Sequence, residues 1–145
     1  MATTAKVTWT GVAQANLTVV NGASRGSGTV NPPTYLGVGT GTTTAAITDT
    51  ALQTELTSGA LSPATYTRAT GSISAVTTSQ TNDTLQNVAT YTLPSNAGSS
   101  ETISEVGLFD ATTSGNMWFH ATFTGVALTP GFGLQVTAQL QGTTS

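Results

Sequence analysis

Residues 101–123 form the densest apolar and aromatic passage in a chain otherwise rich in threonine, glycine, serine and alanine. Two β-prone runs, 102–109 and 117–123, flank a stretch of Asp, Thr, Ser, Gly and Asn residues that favours chain reversal. The passage therefore predicts a β-hairpin. Because apolar side chains alternate onto both faces, we expect the hairpin to be central in a sheet rather than at its edge. Its predicted core consists of Ile103, Val106, Leu108, Phe109, Met117, Phe119 and Phe123.

Other segments show the two-residue period of a half-buried strand. Val7 and Trp9 alternate with threonines near the N-terminus, and a later strand is expected to bend at Gly71. Strands at this spacing indicate a mainly β protein, an antiparallel β-sandwich of the jelly-roll or immunoglobulin-like kind. Besides the hairpin and the N-terminal strand, we predict strands at residues 34–38, 66–78, 85–93 and 134–140.

One segment departs from the strand pattern. Thr50, with Gln53 three positions later, resembles a capping box, and Leu52 and Leu56 lie one helical turn apart. We therefore predict one short helix, over residues 48–56, which would be long enough to close one end of the sandwich.

The length of the chain fits one domain with a single core. We divide it into an N-terminal strand, arm and loop, residues 1–33, and a β-sandwich domain, residues 34–145. The arm is β-prone and is followed by a loop rich in Gly, Ser and Asn that ends at Pro32 and Pro33, so we expect it to contact a neighbouring subunit. Its candidate interface residues are Val7, Trp9, Leu17 and Val19.

Charged residues make up only 6% of the chain, against about 25% in ordinary globular domains. The net charge is -3, and Lys6, Arg25 and Arg68 are the cations, too few to neutralise nucleic-acid phosphates. No apolar run is long enough to predict a membrane-spanning helix. A surface of neutral hydroxyl groups suits a protein that packs against copies of itself or other proteins. We therefore expect a homo-oligomer, with neither nucleic acid nor membrane as a partner.

Residues that could carry chemistry are few. His120 is the one histidine, and a nucleophile, a base and an oxyanion site cannot be assembled around it from the sequence, so we interpret it as a packed strand residue. We predict no catalytic residues, no cofactor and no metal, since Asp110 with Asn116 offers too few carboxylates for calcium. The Gly-x-Gly-x-Gly spacing of residues 37–41 matches neither a dinucleotide fingerprint nor a phosphate loop, and it predicts a turn.

Glu105 is the acid for which we expect a structural role. Strand alternation places it on the same side as Ile103 and Phe109, which predicts a partly buried, hydrogen-bonded carboxylate. A buried carboxylate is rarely left unpaired, and Arg68 is the obvious cation, so we predict an Arg68–Glu105 ion pair.

Three passages together resemble small structural proteins of tailed bacteriophages, such as tail-fibre and other virion proteins. They are the glycine–threonine run at residues 35–44, the Asp-Thr-Ala-Leu segment within residues 48–56, and the Ile-Ser-Glu-Val-Gly-Leu-Phe-Asp strand at residues 103–110. The resemblance covers residues 34–140. It implies a β-sandwich domain of a phage particle, made in the cytoplasm of a bacterial host, with no catalytic residues.

The chain has neither the repeats nor the length of a trimeric fibre shaft. Our first hypothesis is therefore a non-enzymatic capsid decoration (cement) protein, a homotrimer that binds the major capsid protein or other virion proteins and stabilises the capsid. The alternative hypothesis is a tail fibre or baseplate adhesin domain involved in host attachment.

Overall fold

The computed structural model of the chain describes residues 3–10, 33–46, 48–57 and 68–143. Each strand within these residues belongs to one of two four-stranded sheets. In this part of the chain, no helix has the length and hydrophobicity needed to span a membrane. The strands are β1 (Thr3–Thr10), β2 (Tyr35–Gly39), β3 (Ala69–Thr70), β4 (Ser72–Val76), β5 (Thr84–Thr92), β6 (Glu101–Phe109), β7 (Met117–Leu128) and β8 (Gly133–Thr143).

The two sheets form the antiparallel β-sandwich that the sequence predicts. Sheet one has the strand order β1-β8-β5-β4, and sheet two has the order β3-β2-β6-β7. Every pair is antiparallel except β1 and β8, which run parallel. Because neighbouring residues of a strand point to opposite faces, each sheet gives one set of side chains to the core and one set to its outer face.

The hydrophobic core lies between the sheets and takes buried side chains from both. The hydroxyl group of Tyr91 on β5 donates a hydrogen bond to the carbonyl of Leu36 on β2, so a polar contact also crosses this core. Sheet one contributes Ala89, Tyr91, Leu134, Val136 and Ala138, and sheet two contributes Leu36, Val38, Ile103, Val106, Leu108 and Ala121.

The predicted β-hairpin is formed by β6 and β7. Its four core residues on β6 are at most 4% exposed, and its core residues on β7 are half-buried. The predicted central position holds for β6, which pairs with both β2 and β7, but it is wrong for β7, which ends the sheet. Within the described residues β7 pairs with one strand only, and Met117, Phe119 and Phe123 on it are half-buried.

The short helix predicted over residues 48–56 is wrong, because the described residues there form turns and an isolated strand-like bridge. The backbone amides of Gln53 and Thr54 donate to the side chain of Glu105, and the amide of Leu56 donates to a carbonyl of β2. These amides serve long-range contacts, so they do not form the bonds to the fourth preceding residue that define a helix.

A single β run passes from one sheet to the other at Gly71, where the sequence predicts a bend. β3 pairs with β2 in sheet two, and β4, which begins directly after Gly71, pairs with β5 in sheet one. A side chain on Gly71 would overlap the buried amide of Asn87 on β5. Glycine therefore allows the crossing chain to pass close to its neighbouring strand.

The N-terminal arm contributes β1, which pairs with β8 of the same chain. Its register places Val7 opposite Leu140 and Trp9 opposite Gly142. The other two candidate interface residues, Leu17 and Val19, lie outside the described residues. Contact of the arm with a neighbouring subunit therefore stays a prediction.

Candidate functional site: a buried glutamate beneath a surface segment

Glu105, on the central strand β6, is fully buried. Its Oε1 atom accepts hydrogen bonds from the backbone amides of Gly41 at 3.0 Å and Thr54 at 2.7 Å, and its Oε2 atom accepts one from the amide of Gln53 at 2.9 Å. Three backbone donors thus replace water around this carboxylate, and hydrogen bonds to an ionised acceptor are the stronger kind. Glu105 is therefore a fixed anchor on the outer face of sheet two.

Glycines leave the space around Glu105 free of side chains. A Cβ atom on Gly41 would lie 2.6 Å from Oε1 of Glu105, and one on Gly39 would overlap the same oxygen. Real Cβ atoms do not approach other atoms this closely, so glycine is what allows the chain to reach the carboxylate. The spacing at residues 37–41 therefore serves close packing on and after β2, and it does not form the predicted turn.

The segment that lies over Glu105 comprises residues 40–46 and 48–57 and is called the cover segment here. It folds back on itself, because the amide of Thr40 donates to the carbonyl of Thr54 at 3.0 Å. The side-chain Oε1 of Gln53 accepts hydrogen bonds from the amides of Thr42 at 3.0 Å and Thr43 at 3.1 Å. Gln53 therefore holds the two arms of the cover segment together.

His120 connects two carboxylates beneath the cover segment. Its Nε2 atom lies 3.1 Å from Oε2 of Glu105, and its Nδ1 atom lies 2.7 Å from Oδ2 of Asp49. The histidine side chain is 7% exposed, and that of Asp49 is 29% exposed. The hydrogen bond from the Ala46 amide, and next that with His120, hold the pKa of Asp49 below its ordinary value.

This constellation fits a structural role better than catalysis. Both ring nitrogens of His120 are bonded to carboxylates, so neither is free to activate a nucleophile or to bind a metal. The carboxylate oxygens of Glu105 already accept backbone amides, whose hydrogens would face an incoming cation. Within the described residues, no group of three or more His, Asp or Glu side chains is arranged to hold a metal ion.

Arg68 pairs with Glu55 and not with Glu105, which corrects the predicted ion pair. Its Nε atom donates to Oε1 of Glu55 at 2.6 Å, and its Nη2 atom donates to Oε2 at 3.0 Å. The guanidinium lies 3.4 Å from the centroid of the Phe109 ring, and it also donates to the carbonyls of Ala111, at 3.2 Å, and Ser114. Arg68 thus joins the cover segment to the β6–β7 loop.

Two loop aspartates are bound by their own loops. Burial alone would raise the pKa of Asp110, but hydrogen bonds from the side chain and amide of Asn116 keep it below the ordinary value of 3.8. Asp83, between β4 and β5, accepts bonds from the Ser79 hydroxyl and from the amides of residues 78–80, which lower its pKa far below the usual range. Asp110 and Asn116, considered for calcium, therefore bond to each other.

The three passages that resemble phage proteins meet at this one site. The glycine–threonine run supplies the Gly41 amide, residues 48–56 supply Asp49 and the amides of Gln53 and Thr54, and the β6 passage supplies Glu105. Sequence reasoning identified Glu105 and His120 singly but missed their contact and the part of Asp49. The available signal was that these three passages together carry the resemblance, and in the structure they contact one another around Glu105.

A family model described as podophage GP4 fiber I protein gp80 matches residues 4–136 of the chain. Searches of curated proteins and of solved structures gave no match. The matched range includes the whole site around Glu105, and it confirms the resemblance to small structural proteins of tailed phages. The chain is thus a structural component of a phage particle, and it belongs to the podophage GP4 fiber I protein gp80 family.

Proposed function

We propose that the protein is a building block of a podophage fibre, where it serves host attachment through contacts between protein surfaces. The family match over residues 4–136 is the observation that carries this proposal. Because the matched family is described as a fibre protein, it favours the tail fibre alternative over capsid decoration.

The edge strand β4 supports association between copies of the chain. β4 is the last strand of sheet one, and residues 72–75 are exposed on both faces. Its side chains are Ser, Ile, Ala and Val, with Ile73 37% exposed, and it lacks the charges and prolines that commonly protect a sheet edge. Such an edge can accept another strand through main-chain hydrogen bonds. We propose that three copies of the chain associate, as expected from the sequence.

The arrangement around His120 supports a role without catalysis. A general base must leave one ring nitrogen free for the proton that it abstracts. In this site Asp49 and Glu105 occupy both nitrogens. We therefore propose that the protein contributes contact area and rigidity to the fibre, and no reaction.

Labelling of the source particle tests the location. Antibodies against the purified protein, visualised by electron microscopy on intact particles, should bind at the tail fibres, and the protein should be present in tens of copies or fewer per particle. Labelling spread over the capsid surface, with hundreds of copies, would support capsid decoration and overturn the proposal.

Mass measurement in solution tests the association. The purified chain should have the mass of a trimer by light scattering, and Ile73→Lys should shift it towards the monomer, because a charge on β4 opposes edge pairing. Thr112→Lys, in the exposed β6–β7 loop, is the matched control and should leave the mass unchanged. A monomeric unmodified chain would contradict the association.

A further inference from the structure

The two contacts of His120 with carboxylates depend on which of its ring nitrogens carry a proton. Oδ2 of Asp49 accepts the Ala46 amide at 2.7 Å as well as facing Nδ1, and Oε2 of Glu105 accepts the Gln53 amide at 2.9 Å as well as facing Nε2. An ionised carboxylate can only accept hydrogen bonds. With both carboxylates ionised, the two contacts form as hydrogen bonds only when both ring nitrogens of His120 carry a proton.

We propose that His120 is a proton-dependent contact that holds the Asp49 end of the cover segment on sheet two. With two ring protons, the histidine connects Asp49 to Glu105. When the second proton is removed, one carboxylate faces a nitrogen lone pair, and that contact is lost. Asp49 is the partner that separates, because it is 29% exposed, whereas Glu105 is fully buried and bound by three amides.

Within the described residues, the other ionisable groups near the outer face of sheet two do not supply a positive charge to the His120–Asp49 contact. Glu55, from the same cover segment, is paired with Arg68. Within the described residues, Asp49 and Glu105 are the charged side chains that contact the ring, although β2 carries Tyr35 and β6 begins with Glu101. As the pH rises, the His120–Asp49 contact is therefore lost when His120 loses its second ring proton. As the pH falls, it is lost when Asp49 becomes protonated.

Separation of Asp49 changes the surface that the protein presents. Thr44, Ala46 and Thr48 of the cover segment are exposed. Thr42 and Thr43 are bonded to Gln53, and Gly41 and Gln53 are held by Glu105 through their amides. Loss of the Asp49 contact would free the middle of the stretch between Gly41 and Gln53 while both ends stay attached. The proposal concerns a local opening and not unfolding of the sandwich.

Nuclear magnetic resonance tests the proposal directly, because the chain has one histidine and its ring signals are unambiguous. The ring nitrogens of His120 and the backbone amides should be followed in one pH titration. The Ala46 amide, which donates to Asp49, should change with the same midpoint as His120, and its hydrogen exchange, corrected for pH, should become about tenfold faster or more. The Thr54 amide, which donates to Glu105, is the internal control and should change less than about twofold.

Two variants separate the proposal from a general effect of pH. In Asp49→Asn the Ala46 amide should lose its dependence on the His120 titration, while the Thr54 amide stays protected. In His120→Gln the Ala46 amide should not change over the same pH range. The proposal is overturned if His120 has one ring proton throughout the range in which the protein is folded, or if Ala46 changes with a different midpoint.

Discussion

Tyr91 in sheet one donates its phenolic hydrogen bond to the backbone carbonyl of Leu36 in sheet two, across the core between the sheets. Tyr91→Phe should therefore lower the free energy of unfolding by about 1 kcal/mol, the usual contribution of one buried hydrogen bond. Burial also raises the pKa of Tyr91 well above its ordinary value of 10.0. The unfolded tyrosine ionises first, so stability should fall as the pH rises above 10, and less steeply in the variant. Urea unfolding at pH 8 and pH 10.5 measures both effects, and equal slopes in the two proteins would contradict them.

Removal of the charge of Glu105 should be the most damaging conservative change in the site. Glu105→Gln places an amide group opposite three backbone donors and beside His120, so we expect a loss of about 3 kcal/mol or more. Glu101→Gln, on the same strand but half-exposed, is the control and should stay within about 0.5 kcal/mol. Denaturant unfolding of both variants makes the comparison. Similar midpoints for the two variants would show that the buried carboxylate is not an anchor.

Gly39→Ala, which adds one methyl group, tests whether the chain at residue 39 packs too closely to hold a side chain. A Cβ atom at Gly39 would overlap the carbonyl of Thr54 and the carboxylate of Glu105. Because one of these is backbone, Gly39→Ala should cost about 1–3 kcal/mol. Gly133→Ala is the matched control on β8, since its Cβ atom would lie 3.6 Å from the nearest atom, the Tyr91 carbonyl. Thermal unfolding of the two variants should give a clearly lower midpoint for Gly39→Ala alone.

The Arg68–Glu55 pair should depend on the forked shape of the guanidinium. Arg68→Lys keeps the charge but cannot form both contacts with Glu55 or lie flat on Phe109, so a loss of about 2 kcal/mol is expected. A double-mutant cycle with Glu55→Gln should give a coupling of about 1 kcal/mol or more, because the pair is largely buried. A coupling near zero would mean that Arg68 acts only through Phe109 and the loop carbonyls.

Acid should destabilise the protein through its loop aspartates. The pKa values of Asp49, Asp83 and Asp110 are lowered by their hydrogen bonds, relative to an ordinary value of 3.8. Their stabilisation is therefore complete well above pH 3.8 and is lost as the pH falls through the lower, folded-state values. Urea midpoints should stay level from pH 6 to about pH 5 and then fall as the pH decreases to 2. Asp83→Asn should flatten this decrease, and an unchanged slope would remove Asp83 from the explanation.

Local alternation was sufficient to predict most strands. Residues 85–93 and 134–140 gave β5 and β8 because one face of each strand is buried against the core and the other is not. The apolar composition of residues 101–123 likewise predicted the hairpin of β6 and β7. The position of β7 in the sheet could not be predicted in this way, since apolar residues on both faces do not specify whether a strand pairs on one side or on two.

The site could be predicted only in part, because its contacts join distant residues. The pattern of Thr50, Gln53 and Leu56 is compatible both with a helix and with the observed turns. The bonds that favour the turns run from the amides of residues 53 and 54 to Glu105, about fifty positions away. The Arg68–Glu105 pair was inferred from the expected burial of Glu105, whereas in the structure three backbone amides and His120 contact that carboxylate. A register shift between Ile103 and Glu105 also turns Ile103 to the core, against simple alternation.

The parallel pairing of β1 with β8 determines how the fold would respond to tension. Eight residue pairs run from Thr3 opposite Val136 to Thr10 opposite Thr143. A force that pulls on the chain before Thr3 and after Thr143 would slide these strands lengthwise, so their hydrogen bonds would bear the load together and not one after another. A fibre subunit connected through these two points would resist stretching far better than one whose terminal strands could be peeled apart.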